Sequence, residues 1–200
     1  MPGRFLNPYK RVRAFCLVAK YPALMHRLDR MLGRPAKLLQ TIASHKGSQQ
    51  APHSDSIHTT TYPLGYLAAA WIAFEDISTN SGPLEFYPGS HRLPYVFSHD
   101  LGISVEDMKN EGYATYRARY EPLIQKLIAE HGLRPKYFEA CKGDVLIWHA
   151  NLLHGESQRR DLTLTRKALV GHYFAKGAFV YHDLSAVSSR QQYLGGCLVR

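Results

Sequence analysis

Apolar positions along this chain change texture three times, and each change predicts a different element. From Phe15 to Leu32 they fall at Leu17, Leu24, Leu28 and Met31, a spacing compatible with one helix or with two short ones split at Pro22. The punctuation Gly33-Arg34-Pro35 ends that region. Ala36 to Ala43 then reads as a strand, and a polar, turn-rich stretch from Ser44 to Gln50 leads into Pro52-His53. Gly65 to Ile77 (GYLAAAWIAFEDI) is apolar throughout and long enough for a buried strand. A turn at Asn80, Ser81 and Gly82 separates it from a further short strand, Leu84 to Tyr87.

Beyond Pro88-Gly89-Ser90-His91 the period becomes helical. Ser104-Val105-Glu106-Asp107 has the form of a capping box, and Tyr116, Tyr120, Leu123, Ile124, Leu127 and Ile128 follow at helical spacing until Gly132 and Pro135. Pro122 is expected to kink that helix or to start a second one. The tyrosine and leucine stripe reads as core packing. Strand-like runs return at Val145 to His149, Leu152 to Gly155 and Lys167 to Phe174. Many short strands with one helical insertion predict a mainly β fold, a closed or sandwiched antiparallel jelly roll with flanking helices.

Two hundred residues suffice for one domain with a sizeable core, so residues 1–200 are expected to form a single domain. The apolar run around Leu67 to Phe74 is too short to span a membrane, and Met1-Pro2-Gly3-Arg4 lacks the start of a signal peptide. Three widely spaced cysteines, Cys16, Cys141 and Cys197, form no zinc-type cluster and suit reduced thiols in a cytoplasmic protein. Lys and Arg number 25 against 16 Asp and Glu, a net charge of +9 with neutral His. The basic residues are scattered rather than gathered in a patch, which reads as solvated surface or as a pull on an anionic small substrate. No nucleic-acid motif accompanies them, so neither nucleic acid nor membrane is an expected partner.

The chemistry gathers at His53-Ser54-Asp55 and at a distant histidine. His-x-Asp plus one further His is the donor set of a non-haem Fe(II) facial triad, three protein ligands on one side of an octahedron with the other side open. A two-residue step puts His53 and Asp55 on the same side of an extended segment. For the third ligand, His149 and His154 are both candidates; His154, just ahead of Gly155 at a turn, is favoured because it can face inward. His58, His91 and His172 read as structural or substrate-facing. Arg166, at the head of a strand beyond His154, could hold a carboxylate bidentately, with the Ser157 hydroxyl beside it.

Taken in order, these residues resemble the phytanoyl-CoA dioxygenase family of Fe(II)/2-oxoglutarate oxygenases. The matching text is His53-Ser54-Asp55, Trp71 on the next apolar strand, Gly82-Pro83-Leu84 running into Pro88-Gly89-Ser90-His91, then Gly143-Asp144-Val145, Leu153-His154-Gly155 and Arg166. It spans about residues 32–174. The resemblance implies a double-stranded β-helix (jelly-roll, cupin-like) core, with Fe(II), 2-oxoglutarate and O2 as cofactor and cosubstrates. His53, Asp55 and His154 would be the iron ligands, Arg166 and Ser157 would bind the distal carboxylate of 2-oxoglutarate, and Trp71 would line the site. Retention of Asp55 favours hydroxylation over halogenation.

Two departures from the family pattern stand out. The serine commonly lies two residues after the ligand histidine, whereas Ser157 is three beyond His154; one inserted residue, Gly155 or Glu156, would explain the offset. Family members also carry a longer stretch before the His-x-Asp pair, so this chain reads as a compact or N-terminally shortened member. The expected activity is hydroxylation of an unactivated C–H bond in a small organic substrate. The alternative is a jelly-roll module that binds metal or ligand without turnover.

Overall fold

The computed structural model describes residues 3–184. A short strand, β1 (Arg4–Leu6), precedes helices α1 (Arg13–Ala19) and α2 (Pro22–Leu32). Strands β2 (Ala36–Ser44), β3 (Thr60–Tyr62), β4 (Leu67–Ala73) and β5 (Leu84–Phe86) follow. Helices α3 (Val105–Asn110) and α4 (Tyr113–Glu130) interrupt the strands, which resume as β6 (Lys136–Phe138), β7 (Val145–His149), β8 (His154–Glu156), β9 (Ala168–Ala175) and β10 (Phe179–Tyr181). Pairing is antiparallel throughout: a five-stranded sheet in the order β1-β2-β9-β4-β7, a three-stranded sheet β6-β5-β8, and the ribbon β10-β3. This is the jelly roll that the alternation of short strands predicts.

β4 explains why its sequence is apolar without alternation. Ala68, Ala70 and Ile72 pack with Leu24, Leu28 and Leu32 of α2 on one face. Ala69, Trp71 and Ala73 pack with Leu84, Trp148 and Ala168 on the other. Both faces of the strand are buried, so both sets of positions must be apolar. The α2 leucines stand four residues apart on one face, Pro22 occupies the first turn, and Gly33 ends the helix in the left-handed region (φ 67°). Asp29 Oδ1 then accepts from the Ala36 N–H at 2.6 Å, tying the helix end to β2. Leu28 is fully buried, and truncating it to Ala would cost roughly 2–5 kcal/mol.

β2 carries the irregularity that shapes the site. Its register with β9 shifts between Leu38 and Gln40, a β-bulge. Before the bulge Ala36 and Leu38 face the helices; after it Ala43 does, and Gln40, Ile42 and Ser44 turn to the inner cavity. One extra residue exchanges the two faces of the strand.

The capping box at Ser104 is formed, with Ser104 and Asp107 exchanging hydrogen bonds. The helical break, however, falls at Gly112 (φ 58°, ψ −136°), and α4 runs on through Pro122. A glycine in a conformation closed to other residues separates the helices more decisively than a proline, which forfeits one hydrogen bond. No helix among the described residues is long and apolar enough to cross a membrane. Cys16 is buried and Cys141 is an exposed free thiol, while Cys197 lies outside the described residues.

Candidate metal centre

His53 and His154 come together through the backbone. They form an isolated antiparallel bridge, with His53 N donating to His154 O at 2.8 Å and His154 N to His53 O at 2.9 Å. Residues directly opposite in such a pair project to the same side. Ser54 continues the extended backbone (φ −97°, ψ 150°), and Asp55 then opens a short 3-10 turn. That turn is pinned by Asp55 N donating to Ala150 O at 2.8 Å. The Ser54 N–H donates to Tyr120 Oη at 2.9 Å, so α4 also holds the segment between the two candidate ligands. Ser90 of the Pro-Gly-Ser-His segment anchors the other side, its Oγ accepting from Leu153 N at 2.8 Å. His91 does not line the cavity.

Ligand atoms of His53, Asp55 and His154, all three buried, lie within 4.8 Å of one another. Nδ1–H of His53 donates to Ala51 O at 2.9 Å, and Nδ1–H of His154 donates to Leu152 O at 3.0 Å. Each Nε2 is thereby left with its lone pair for a cation, an arrangement typical of metal-binding histidines. His154 Nε2 stands 3.6 Å from Asp55 Oδ1. A lone pair facing a carboxylate is unfavourable unless a cation lies between them, and that is the fit a divalent metal requires. Burial and the neighbouring His154 hold His53 well below the ordinary imidazole range, which keeps it neutral. Burial pushes the Asp55 carboxyl up, but His154 and His172 more than reverse this and leave it below its usual range. The trio thus presents a neutral His53 imidazole, the His154 ring beside it and an anionic Asp55.

Asp55 is held by Trp148, which had no expected role, and by His172, expected to be structural or substrate-facing. Trp148 Nε1–H donates to Oδ2 at 2.9 Å, and His172 Nε2–H donates to Oδ1 at 3.3 Å. Gln40, turned inward by the bulge, stands 3.4 Å from His172 Nδ1. Gln50 Nε2 donates to His53 Nε2 at 3.1 Å, at the position a metal would take. His149 faces away: its Nδ1 accepts from Asn151 N at 3.1 Å, and it does not line the cavity.

The trio lies in the wall of a cavity of about 730 Å³. Trp71, His58, His172 and Arg166 line it, with Tyr113, Tyr116, Arg117 and Glu121 of α4. Part of the tyrosine stripe therefore faces the cavity, while Tyr120 and Ile124 stay in the core. Arg166 is 1% exposed, and its guanidinium lies 5.6 Å from the Trp71 ring centroid. Ser157 is elsewhere: its Oγ donates to Pro83 O at 3.0 Å, and it is not part of the cavity wall. The residue beside Arg166 is Glu156, whose carboxylate Oε1 accepts from Arg166 Nη2. β8 runs in regular register with β5, Phe86 opposite His154 and Leu84 opposite Glu156. With no bulge in β8, the second position after His154 on its own face belongs to Glu156. Strand alternation counted from His154 was the signal for it.

The chain is similar to known proteins in sequence and in fold. The sequence model of the family described as Phytanoyl-CoA dioxygenase (PhyH) matches residues 2–160. The ectoine dioxygenase of Halomonas elongata is 29% identical over 154 residues, covering 72% of this chain and 45% of its own length. The peroxisomal phytanoyl-CoA dioxygenase of Homo sapiens is 27% identical over 148 residues, covering 72% and 38% respectively. The chain spans less than half the length of either relative. The crystal structure of EctD from S. alaskensis with 2-oxoglutarate and 5-hydroxyectoine superposes with a TM-score of 0.67 at 17% identity, over 90% of this chain and 59% of that one. At that identity the likeness speaks to the jelly-roll fold.

Proposed function

The chain belongs to the phytanoyl-CoA dioxygenase family, and from that premise we propose that it is an Fe(II)- and 2-oxoglutarate-dependent dioxygenase that hydroxylates a C–H bond of a small organic molecule. The observation that carries this reading is the convergence of two imidazole lone pairs and one carboxylate in a cavity that also holds a buried arginine. The overall reaction would convert substrate C–H, O2 and 2-oxoglutarate to C–OH, succinate and CO2.

His53 Nε2, His154 Nε2 and one Asp55 oxygen would hold the iron on one side, leaving the cavity side open. When bound, iron couples the reduction of O2 and the decarboxylation of 2-oxoglutarate to oxidation of the substrate. Trp148 and His172 would fix which Asp55 oxygen faces the metal. Arg166 would hold the distal carboxylate of 2-oxoglutarate, with Trp71 closing that wall. Tyr113 and Tyr116 would shield the substrate side from water. Ser48 Oγ, His58 Nε2 and His182 Nε2 are buried without a hydrogen-bond partner among the described residues and belong to residues lining the cavity, which suits a polar, oxygen-bearing substrate. Arg117 and Glu121 both line the same cavity, so its charge is mixed rather than uniformly cationic.

The test is to add Fe(II) and 2-oxoglutarate to the protein without oxygen and look for the visible charge-transfer band of the chelate. The band is expected in wild type and absent in His154→Ala and Asp55→Ala; its absence from folded wild type would overturn the reading. A second reading, a module that binds metal without turnover, draws on one observation: Glu156 already engages Arg166. Iron uptake with no succinate formed from 2-oxoglutarate and O2 would favour it.

A further inference from the structure

We infer that Glu156 is a built-in rival for the distal carboxylate of 2-oxoglutarate, lowering the affinity of the site for its cosubstrate. The inference rests on the reading of Arg166 as the cosubstrate anchor. Glu156 follows His154 by two residues on β8 and lines the same cavity. Its Oε1 accepts from Arg166 Nη2, and its Oε2 accepts from the Gln49 N–H at 2.7 Å. A Cβ built on Gly47 would lie 3.3 Å from Oε2, so the backbone of that loop closes around the carboxylate. The side chain is therefore held at both oxygens.

Arg166 is not satisfied by this contact. Its Nε and Nη1 are buried and have no hydrogen-bond partner among the described residues, although a guanidinium carries five donors. Unspent donors on a buried cation at a cavity wall mark a place for a second acceptor. An incoming carboxylate can use them, but it must share one positive charge with a carboxylate already in place. A serine at position 156 would add a donor and no charge; Glu156 adds a charge of the same sign as the ligand. Since charge-assisted Arg–carboxylate bonds are strong and like charges a few ångströms apart repel in a desolvated site, the penalty is at least about tenfold in affinity. Cosubstrate concentration then becomes a control on turnover.

Calorimetric titration of 2-oxoglutarate into the Fe(II)-loaded protein without oxygen tests this. Glu156→Gln keeps the shape and an acceptor but removes the charge; Glu156→Ser removes both charge and bulk. Kd for 2-oxoglutarate is expected to fall roughly tenfold or more in Glu156→Gln, and further in Glu156→Ser, with Fe(II) affinity unchanged. Wild type alone supplies a second measurement, its preference for 2-oxoglutarate over 2-oxobutyrate, which lacks the distal carboxylate. That preference is expected to stay below about tenfold in wild type. An unchanged Kd in both folded variants, or a wild-type preference above about a hundredfold, would overturn the assignment. Arg166→Ala separates the two levels of argument. If it leaves Kd unaltered, the anchor reading falls and this inference with it; if it weakens binding while Glu156→Gln does not strengthen it, only the role of Glu156 falls.

Discussion

His53 and His154, far apart in the chain, exchange both of their backbone hydrogen bonds and set their rings 4.5 Å apart, centroid to centroid. The main chain thus fixes where the two side chains start, and each ring is then oriented by its own Nδ1–H bond to the carbonyl two residues earlier. Whatever displaces one segment against the other should loosen the metal site before it unfolds the protein.

Gly155, next to His154, offers a direct way to do that. A Cβ there would meet Gln50 O and Pro52 N at 3.0 Å and Pro52 Cα at 3.1 Å, all backbone atoms. Gly155→Val is expected to cost about 1–3 kcal/mol in urea unfolding and to weaken Co(II) binding, followed by its visible absorption. Full metal affinity in a folded Gly155→Val protein would show that the bridge is not what sets the ligand positions.

Tyr120 tests the link from α4. Its hydroxyl is the acceptor for the Ser54 N–H and lies 3.2 Å from Ser54 Oγ, both buried. Tyr120→Phe leaves that N–H without a partner, an expected loss of roughly 1–3 kcal/mol. The same variant should bind Co(II) more weakly, because Ser54 is the residue between the two N-terminal ligands. Thermal melting with and without metal measures both effects.

Trp148→Phe removes the donor to Asp55 Oδ2 while keeping an aromatic ring in the inner cluster. Metal affinity is expected to drop about 10- to 100-fold, the usual effect of losing a partner that orients a ligand. An affinity equal to wild type would mean that His172 alone suffices to orient the carboxylate.

His149, the candidate ligand that faces away, gives a pH test. Burial and the neighbouring His91 lower its pKa below the ordinary 6.5. The folded form therefore resists protonation that the unfolded chain accepts, so its contribution to stability is complete above pH 6.5 and declines as pH falls through that value. His149→Gln should lose less stability than wild type between neutral and mildly acidic pH. Parallel slopes in urea titrations of the two proteins would exclude His149 as a contributor.

Much of this molecule could be read from the order of its residues, for local reasons. The unbroken apolar run of β4, the leucines of α2 and the Ser104 cap each report on a single element and its immediate cover. The His-x-Asp pair was legible because its two donor side chains stand two residues apart on one extended segment, although Ala150 and Tyr120 hold that segment in place. What stayed hidden depends on how distant segments meet. The bulge at Leu38/Gln40 reverses the faces of β2 only through its register with β9. Ser157 looked like a companion of Arg166 because an inserted residue could be imagined, and only the unbroken pairing of β8 with β5 gives the place to Glu156. His172 and Trp148 reach Asp55 from strands whose order in the sheet no spacing rule specifies.

Trp71 and Trp148 are the two tryptophans of the chain, and both line the cavity, one against Arg166 and the other against Asp55. Every indole in the protein is therefore an optical reporter of this one cavity. Emission excited at the red edge of the tryptophan band would register events at the carboxylate end and at the metal end, with no background from the rest of the fold. Single replacements of the two rings would separate those signals, so that occupancy of each end could be followed in the unlabelled protein.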